Sequence, residues 1–436
     1  MHNLKTARQE KTWCESLYKY LPITFVLLIF LGLVIPATFR HYFNTQQGID
    51  MYDWHLPQVN TFVTRPFAFF NYPATAAMTP GHHIALAWFA RLLGYSNVTE
   101  TAYPIRLANA VFGVAVVVVA WSTFYSMARA GWLAAILVAP LAFSSYVLLA
   151  AIWVATDNGA LLWYELVVAI AANNVAIPLS AVLVCSALVM WRQIYLPVTG
   201  IFVLSWLAQK RTLLTLPLPL LATVLPAAIV GIYYWHWHGF VPPYFQIHNN
   251  VHFQFATPLS ALALSGLILP FYFACLNSSI RKALRLRPRL MLCTLAGVVA
   301  AWCLGPTDHN VEQGRWGGII WTVALHTPAL GSHSFAVLCL AVVGAVTFVS
   351  MLAQSLPWGK HSAGTICLVL YLVGYSMQME TFQRYIEPQL LFTYGFWASG
   401  EKHGSTRAWV GPLLLAIILA VLSAFRAYDI LPRLFS

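Results

Sequence analysis

The chain has few charged residues for its length. Lys, Arg, Asp and Glu make up 8% of its 436 residues, and only 13 residues are acidic, whereas 60% are hydrophobic. Soluble domains usually contain about 25% charged residues. This scarcity excludes an ordinary soluble protein, and it makes any pair of acids in a loop a candidate for function.

Several other signals are missing. The seven cysteines include no CxxC pair, which argues against a disulfide framework or a zinc site. No glycine-rich nucleotide-binding loop occurs. The apolar segments do not alternate with period two, which excludes an outer-membrane barrel. The net charge of +11 comes from short basic clusters between apolar runs, so a nucleic-acid partner is not expected.

Long apolar runs are abundant instead. Inside lipid the backbone must satisfy its own hydrogen bonds, so such runs predict membrane-spanning helices. The predicted spans lie at about 20–39, 107–128, 131–150, 175–191, 198–209, 258–280, 290–305, 333–356, 364–379, 385–399 and 409–426, with a hairpin of two short helices at about 210–238. We predict an all-α polytopic membrane protein of about 11 to 13 helices, forming one domain over residues 1–436.

Basic residues orient the predicted bundle. Lys5, Arg8 and Lys11 precede the first span, which we expect to remain as an anchor, and the positive-inside rule places them in the cytosol. Arg192 is interpreted as the cytosolic end of a later span, and residues 281–289 as a cytosolic loop. Four segments then fall on the non-cytosolic side: the long first loop 40–104, 151–173, 238–257 and 306–332.

Two of the scarce acids follow the first span closely. Asp50 and Asp53 lie in the stretch IDMYDWHLPQ, together with His55 and Gln58. A carboxylate at the membrane face can act as a general base towards a hydroxyl group. We predict that Asp50 and Asp53 are catalytic and that His55 and Gln58 bind substrate. A solvated loop after a span is the alternative explanation.

Further polar clusters fall on the same predicted face. Arg315 is a candidate phosphate ligand, because a guanidinium pairs with two phosphate oxygens at once, although a lone arginine often only anchors a helix end. The HxxxH pattern lacks the glutamate of a zinc protease, so we predict that it binds a polar head group. The predicted substrate-binding residues in these clusters are Lys210, Arg211, His248, His252, Glu312, Arg315, Trp316, Arg384 and Tyr385.

The order of these motifs resembles that of the α-1,2-glucosyltransferases of the GT-C superfamily, which add a terminal glucose to a lipid-linked oligosaccharide. HLPQ at residues 55–58 matches the end of that family's D-E-x-x-H-x-P-Q motif. Six further segments follow in the family's order: TPGHHIALA, RLANAVFG, AQKRTLL, HNNVHFQF, VEQGRWGGIIW and FQRYIEP. The adjacent acid pair is absent, because Met51 and Tyr52 occupy those positions and Asp50 and Asp53 flank them.

The resemblance implies a GT-C-like bundle and a membrane glycosyltransferase whose site faces the endoplasmic reticulum lumen, or the periplasm in a bacterium. It implies transfer of a hexose, glucose in α-1,2 linkage, from a polyprenyl (dolichyl) phosphate to a glycan or lipid-linked acceptor, with inversion. Asp50 or Asp53 would be the base, and Arg315 with Lys210 or Arg211 would hold the phosphate.

No cofactor is expected besides the lipid-borne donor, and the need for a metal stays open. Two alternatives also remain open. One is a GT-C transferase for another sugar, such as mannose or arabinose. The other is a lipid or sugar transporter, which would place ionisable residues inside its spans.

Overall fold

The structure is a computed structural model that describes residues 2–40, 46–70, 72, 74–98, 102–173, 179–248, 253–355, 358–359, 361–378, 380–401 and 406–428. Across these residues the chain is mainly helical, with one two-stranded antiparallel sheet formed by β1 (Ala329–Leu330) and β2 (His333–Ser334). The predicted all-α class is confirmed.

The α-helices follow one another with short connections. They are α1 (His2–Thr38), α2 (Gln46–Asp50), α3 (Leu56–Thr64), α4 (Gly81–Leu92), α5 (Ala102–Ala128), α6 (Gly131–Ala142), α7 (Ser145–Ile152), α8 (Asp157–Ala172), α9 (Leu179–Trp191), α10 (Ile201–Ala208), α11 (Pro217–Trp237), α12 (Ala256–Leu286), α13 (Pro288–Leu304), α14 (Ile319–Leu325), α15 (Phe335–Gln354), α16 (Ser362–Tyr375), α17 (Gln383–Gly400) and α18 (Val410–Ala427).

Tighter and wider turns complete the helical structure. Short 3-10 helices occupy Gln193–Gly200, Leu213–Thr215, Pro243–His248 and Thr406–Trp409. Between α2 and α3 lies one π-helical turn, Met51–His55, in which the backbone N–H of Leu56 bonds to the carbonyl of Met51. The predicted first loop therefore contains helical structure at the point where Asp50 and Asp53 lie.

Among the described residues, six helices are long and apolar enough to cross a membrane, or up to seven if the bent pair α6 and α7 is one span. The six are Tyr18–Thr38, Ala102–Ala128, Leu213–Trp237, Ala256–Leu286, Phe335–Gln354 and Val410–Ala427. Four shorter apolar helices, α9, Gln193–Ala208, α13 and α16, correspond to further predicted spans. The protein is a multi-pass membrane protein in which fewer helices reach full span length than the 11 to 13 spans predicted.

The segment 151–173 differs from its prediction as an external insertion. Its residues 157–172 form α8, and most of its side chains are buried. Asp157 at the start of α8 lies 2.9 Å from Arg192, which follows the end of α9, so the two helices are antiparallel. Arg192 therefore lies on the same side of the bundle as Asp157, so the predictions that place Arg192 in the cytosol and the segment 151–173 outside it are not compatible with each other.

The region 210–238 also differs from its prediction. It contains one long helix, α11, and no hairpin of two helices. Pro217 and Pro219 do not break this helix, because they lie in its first turn, where backbone N–H groups need no partner within the helix. The structure has one helix more than predicted, α8, and one helix fewer between residues 210 and 238. The number of helices before α12 is therefore unchanged, and α12 keeps its predicted direction.

Glu165 lies in α8 and is fully buried. Neither of its carboxyl oxygens has a hydrogen-bond partner among the described residues. Such a buried group costs about 1–3 kcal/mol of folding free energy. We expect Glu165→Leu to stabilise the protein by about 1–3 kcal/mol, and Glu165→Gln to change it less. Thermal unfolding in detergent measures both, and a clear loss of stability in the leucine variant would contradict the expectation.

Candidate active site

Two ion pairs lie side by side at one end of the helical bundle. Asp50 Oδ2 lies 3.1 Å from Arg384 Nη1, and Asp157 Oδ1 lies 2.9 Å from Arg192 Nη1. The centroid of the Tyr385 ring lies 4.1 Å from Cζ of Arg192 and 4.7 Å from Cζ of Arg384. Arg384 Nη2 also donates a hydrogen bond of 2.7 Å to Tyr385 Oη. Two cations, two carboxylates and a phenol therefore share one site.

Helix ends bring these groups together. Asp50 is the last residue of α2, Asp157 is the first residue of α8, Arg192 directly follows α9, and Arg384 lies in the first turn of α17. The positive end of the α8 dipole favours a carboxylate at its first position. Because the charged groups sit at helix ends, they meet at one end of the bundle and not along the apolar length of a span.

A narrow cavity of about 10 Å³ opens beside the two arginines. It is lined by Tyr146, Asp157, Asn158, Leu161, Arg192, Tyr195, Arg384, Tyr385, Pro388 and Gln389. Gln389 Nε2 donates a hydrogen bond of 2.6 Å to Tyr195 Oη, which fixes both side chains in the wall. This volume is close to the space of about 10–15 Å³ that a single water molecule needs, so a head group enters only if the lining side chains move apart.

Arg192 keeps its positive charge although its side chain is mostly buried. Burial by itself would lower the pKa of Arg192, but attraction to Tyr385 and to Asp157 holds the pKa above its ordinary value. Arg192 therefore stays protonated at every working pH. A cation that is mostly removed from water attracts an anion more strongly than an exposed one does, because the effective dielectric constant is lower.

Three buried histidines lie behind this site. His55 Nδ1 lies 3.0 Å from His83 Nε2, and Trp191 Nε1 donates to His82 Nδ1 at 3.2 Å. Burial lowers the pKa of His55 to about 3, and repulsion from His82 and Arg192 acts in the same direction. Burial also puts the pKa values of His82 and His83 well below their ordinary value. All three rings are therefore neutral near pH 7.

These histidines predict a loss of stability in acid. In the unfolded chain they take up protons near pH 6.5, whereas the folded site resists protonation, so stability falls as the pH drops from about 6.5 towards 3. We expect His55 alone to account for a loss of about 2 kcal/mol at pH 5. Thermal unfolding at pH 7 and pH 5 measures it.

The matched control is His326→Gln, because His326 is exposed. This variant should keep the pH dependence of the wild type, whereas His83→Gln should reduce it. Equal slopes for all three proteins would show that the buried cluster is not responsible.

The other predicted residues of the first loop are placed differently. Asp53 is exposed, one residue after the half-buried Tyr52. Gln58 is buried, and its Oε1 accepts hydrogen bonds from the backbone N–H of Thr75 at 2.8 Å and from its hydroxyl at 3.3 Å. Gln58 and His55 thus hold the turn that carries Asp50, and Asp53 faces solvent.

Arg315 does not lie beside the two ion pairs as a free cation. Its side chain is buried, and its Nη2 lies 2.6 Å from Asp308 Oδ1. Its Nη1 donates to Gln313 Oε1 at 2.8 Å. Glu312 in the same loop is exposed. Arg315 therefore closes its own loop, and its predicted phosphate contact would require these bonds to break.

The same loop packs against the segment that leads into α17. Thr381 N donates to the carbonyl of Gly314 at 3.0 Å, and the Trp316 ring meets the edge of Phe382 at 5.2 Å between centroids. Gly314 has a positive φ of 68°, and a Cβ on it would lie 2.7 Å from Cα of Glu380. The loop therefore fixes the position of the N-terminus of α17, where the site arginine lies.

Lys210 and Arg211 lie at the other end of α11. Gln193, next to Arg192, donates a hydrogen bond of 2.9 Å to the carbonyl of Phe240, just after α11 ends. Lys210 and Arg211 precede α11, which is about 30 Å long at about 1.5 Å per residue. Their predicted place on the same face as the other clusters, and with it their phosphate contact, is not consistent with this geometry.

The HxxxH pattern is only partly visible. His248 ends a 3-10 helix, and the structure does not describe its side chain. His252 lies outside the described residues. Among the residues described, no group of three or more His, Cys, Asp or Glu side chains could hold a metal ion.

Sequence reasoning did not identify Asp157, Arg192, Tyr195 or Gln389 as site residues. Asp157 carried the same signal as Asp50, since both are scarce acids at the end of an apolar run. The sequence predicted opposite sides of the membrane for Arg192 and for the segment 151–173, which kept these residues apart. The structure adds them to Asp50, Arg384 and Tyr385, which were predicted.

No family model matches the chain, and no curated protein matches it. Among solved structures, the chain is similar to a crystal structure of ArnT from Cupriavidus metallidurans in the apo state. The sequence identity is 13% and the TM-score is 0.39, over 96% of this chain and 80% of that chain. Similarity of this degree does not assign a function, so the site must be interpreted from its own geometry.

Proposed function

We propose that the protein is a membrane glycosyltransferase of the GT-C type that takes a sugar from a polyprenyl phosphate. The observation that carries this proposal is two neighbouring arginine–carboxylate ion pairs at the end of the helical bundle, both of whose arginines line one small cavity. Such a set can hold a phosphate anion and can also accept a proton. The cavity is closely associated with membrane helices, as a lipid-borne donor requires.

The arginines suit the leaving group. Arg192 and Arg384 present their guanidinium groups from two helices to one cavity, and guanidinium donors match phosphate oxygens. Negative charge grows on the phosphate as the bond to the sugar breaks. Fixed cations in a site with little water stabilise that charge. We assign phosphate binding to these two residues.

The carboxylates suit the acceptor. Asp50 takes the proton of an acceptor hydroxyl, the oxygen attacks the anomeric carbon, and the carbon–oxygen bond to the phosphate breaks with its electron pair. The lipid phosphate leaves on the opposite face, so a β-linked donor gives an α-linked product. Asp157 orients Arg192 through its ion pair. Asp53, which is exposed, remains the second candidate base.

The charge distribution supports a non-cytosolic site. Lys19 lies where the apolar part of α1, Tyr18–Thr38, begins, and Arg129 directly follows α5. Both positions are remote from the site, and residues 281–289 lie at the far end of α12. Cytosolic ends carry the excess of basic residues in membrane proteins. We therefore propose the lumen of the endoplasmic reticulum, or the periplasmic face of a bacterial inner membrane, as the side of the reaction.

The specific sugar in our proposal is glucose, transferred in α-1,2 linkage to a glycan or lipid-linked oligosaccharide, as in N-glycosylation. It rests on the ordered sequence motifs, of which FQRYIEP supplies Arg384 and Tyr385 to the site. Mannose and arabinose donors remain the alternatives within the same reaction class.

The test is transfer from defined donors by the purified protein in lipid vesicles. Polyprenyl-phosphate glucose, mannose and arabinose, each radiolabelled, are offered with a lipid-linked oligosaccharide acceptor. Glucose in a product that α-glucosidase releases would support the full proposal. Transfer of another sugar would retain the enzyme and change the specificity. If no donor is consumed but sugar lipid moves across the bilayer, the protein is a transporter.

A further inference from the structure

The turn between α12 and α13 carries a cluster of exposed cations. Its members are Arg281, Lys282, Arg285, Arg287 and Arg289, and all five side chains are exposed. No acidic residue occurs between residues 281 and 289. In the part of the chain that the structure describes, none of the five takes part in an ion pair. The cluster therefore has positive charge available for an outside partner.

Exposed leucines alternate with these cations. Leu284 is 42% exposed, Leu286 60%, Leu290 37% and Leu292 66%. In a basic segment that contacts only water or nucleic acid, exposed leucines would be unfavourable, because their apolar surface would remain in water. Basic and apolar side chains interleaved on one surface are typical of segments that lie in the interface of a lipid bilayer.

The length of α12 puts the cluster at the level of the lipid head groups. Thr257 in its first turn hydrogen-bonds Thr381 at 2.8 Å, next to the candidate active site. A helix of 31 residues is about 46 Å long, whereas the hydrocarbon core is about 30 Å thick. The last turns of α12, with Arg281 and Arg285, therefore extend past the hydrocarbon core on the side opposite the site.

We propose that the α12–α13 turn binds the head groups of anionic phospholipids in the leaflet opposite the candidate active site. The guanidinium groups contact the lipid phosphates, and the leucines enter the interface. Basic clusters next to a membrane helix attract anionic lipid, with an effect of about fivefold in affinity for each charge. This function does not depend on the sugar-transfer reaction.

The experiment uses the full chain in nanodiscs of phosphatidylcholine, with or without phosphatidylglycerol. Thermal unfolding and native mass spectrometry report stabilisation and retained lipid. We expect phosphatidylglycerol to stabilise the wild type and to remain bound. The triple variant R285Q/R287Q/R289Q should lose affinity on the order of a hundredfold. The single variants Arg285→Gln and Arg65→Gln remove one exposed charge each from opposite ends of the bundle, and only the first should weaken binding.

Two results would overturn the proposal. One is an equal response of the wild type and the triple variant to phosphatidylglycerol. The other is an equal stabilisation by soluble glycerol phosphate, which would show that a free anion and no lipid surface is the ligand. Neither readout uses sugar transfer, so failure here leaves the proposed enzyme activity untouched.

Discussion

Replacing Asp50 by asparagine is expected to lower kcat by about 10²–10⁴-fold, the usual contribution of a general base. The same change should tighten donor binding. Arg384 now pairs with Asp50 at 3.1 Å, and the incoming phosphate must compete with that carboxylate. Removing the competitor frees the cation, with a gain of up to about 1 kcal/mol. A catalytic loss with stronger donor binding is a combination that simple misfolding does not produce.

The measurement is a titration of the purified variant with a non-hydrolysable polyprenyl-phosphonate sugar, beside the transfer assay. Asp53→Asn is the matched control, because Asp53 is exposed and lies on the same turn. We expect it to keep most of its activity. If Asp53→Asn is the inactive variant instead, the base is Asp53. Full activity of both variants would remove the first loop from the chemistry.

Arg384→Gln is expected to lower kcat/KM by about 10²–10³-fold, as does the loss of one group that stabilises a developing anion. Arg192→Gln should have an effect of the same order, because its guanidinium lines the same cavity. Lysine at position 384 should restore only part of the activity, since an ammonium group cannot pair with two oxygens in a plane.

The variant Arg315→Gln tests whether Arg315 stabilises its own loop, as the structure indicates, or binds phosphate, as the sequence predicted. Arg315 is bound by Asp308 and Gln313 within its own loop, so its loss should lower thermal stability and change kcat/KM much less than Arg384→Gln does. Steady-state kinetics and thermal unfolding of the two variants decide the point. If Arg315→Gln lowers kcat/KM as much as Arg384→Gln does, without a loss of thermal stability, the phosphate contact belongs to Arg315.

Hydrophobic runs predicted most of the helices correctly, because a span is specified by local composition. They did not predict which runs are too short to cross a membrane alone. α8 was missed because Asp157 and Glu165 gave it a polar appearance, although Glu165 is fully buried by its neighbours. The prolines of α11 were read as breaks, although two of them lie in its first turn, where they are tolerated.

Single residues of the site were predicted from sequence, but their grouping was not. Asp50 and Arg384 were each identified from local sequence, but they are 334 residues apart, and no local pattern states which helix ends meet. Asp157 and Arg192 depended on knowing the side of the membrane on which each helix ends. One basic residue, Arg192, was assigned by the positive-inside rule, although its charge is already balanced by Asp157. A paired cation carries little topological information.

The π-helical turn at Met51–His55 bears on the spacing between Asp50 and His55, which is one residue longer than the acid–histidine spacing of the motif. In the motif that HLPQ resembles, an acid stands four residues before the histidine, whereas Asp50 stands five residues before His55. A π-helix bonds residue i to i+5, so residues five apart are stacked as residues four apart are in an α-helix. The wider π-helical turn therefore compensates for the extra residue between Asp50 and His55. Deleting Met51 should therefore let the turn close to an α-helical one with the acid four residues before the histidine, so we expect Asp50 to stay beside Arg384 and the deletion variant to keep much of its transfer activity.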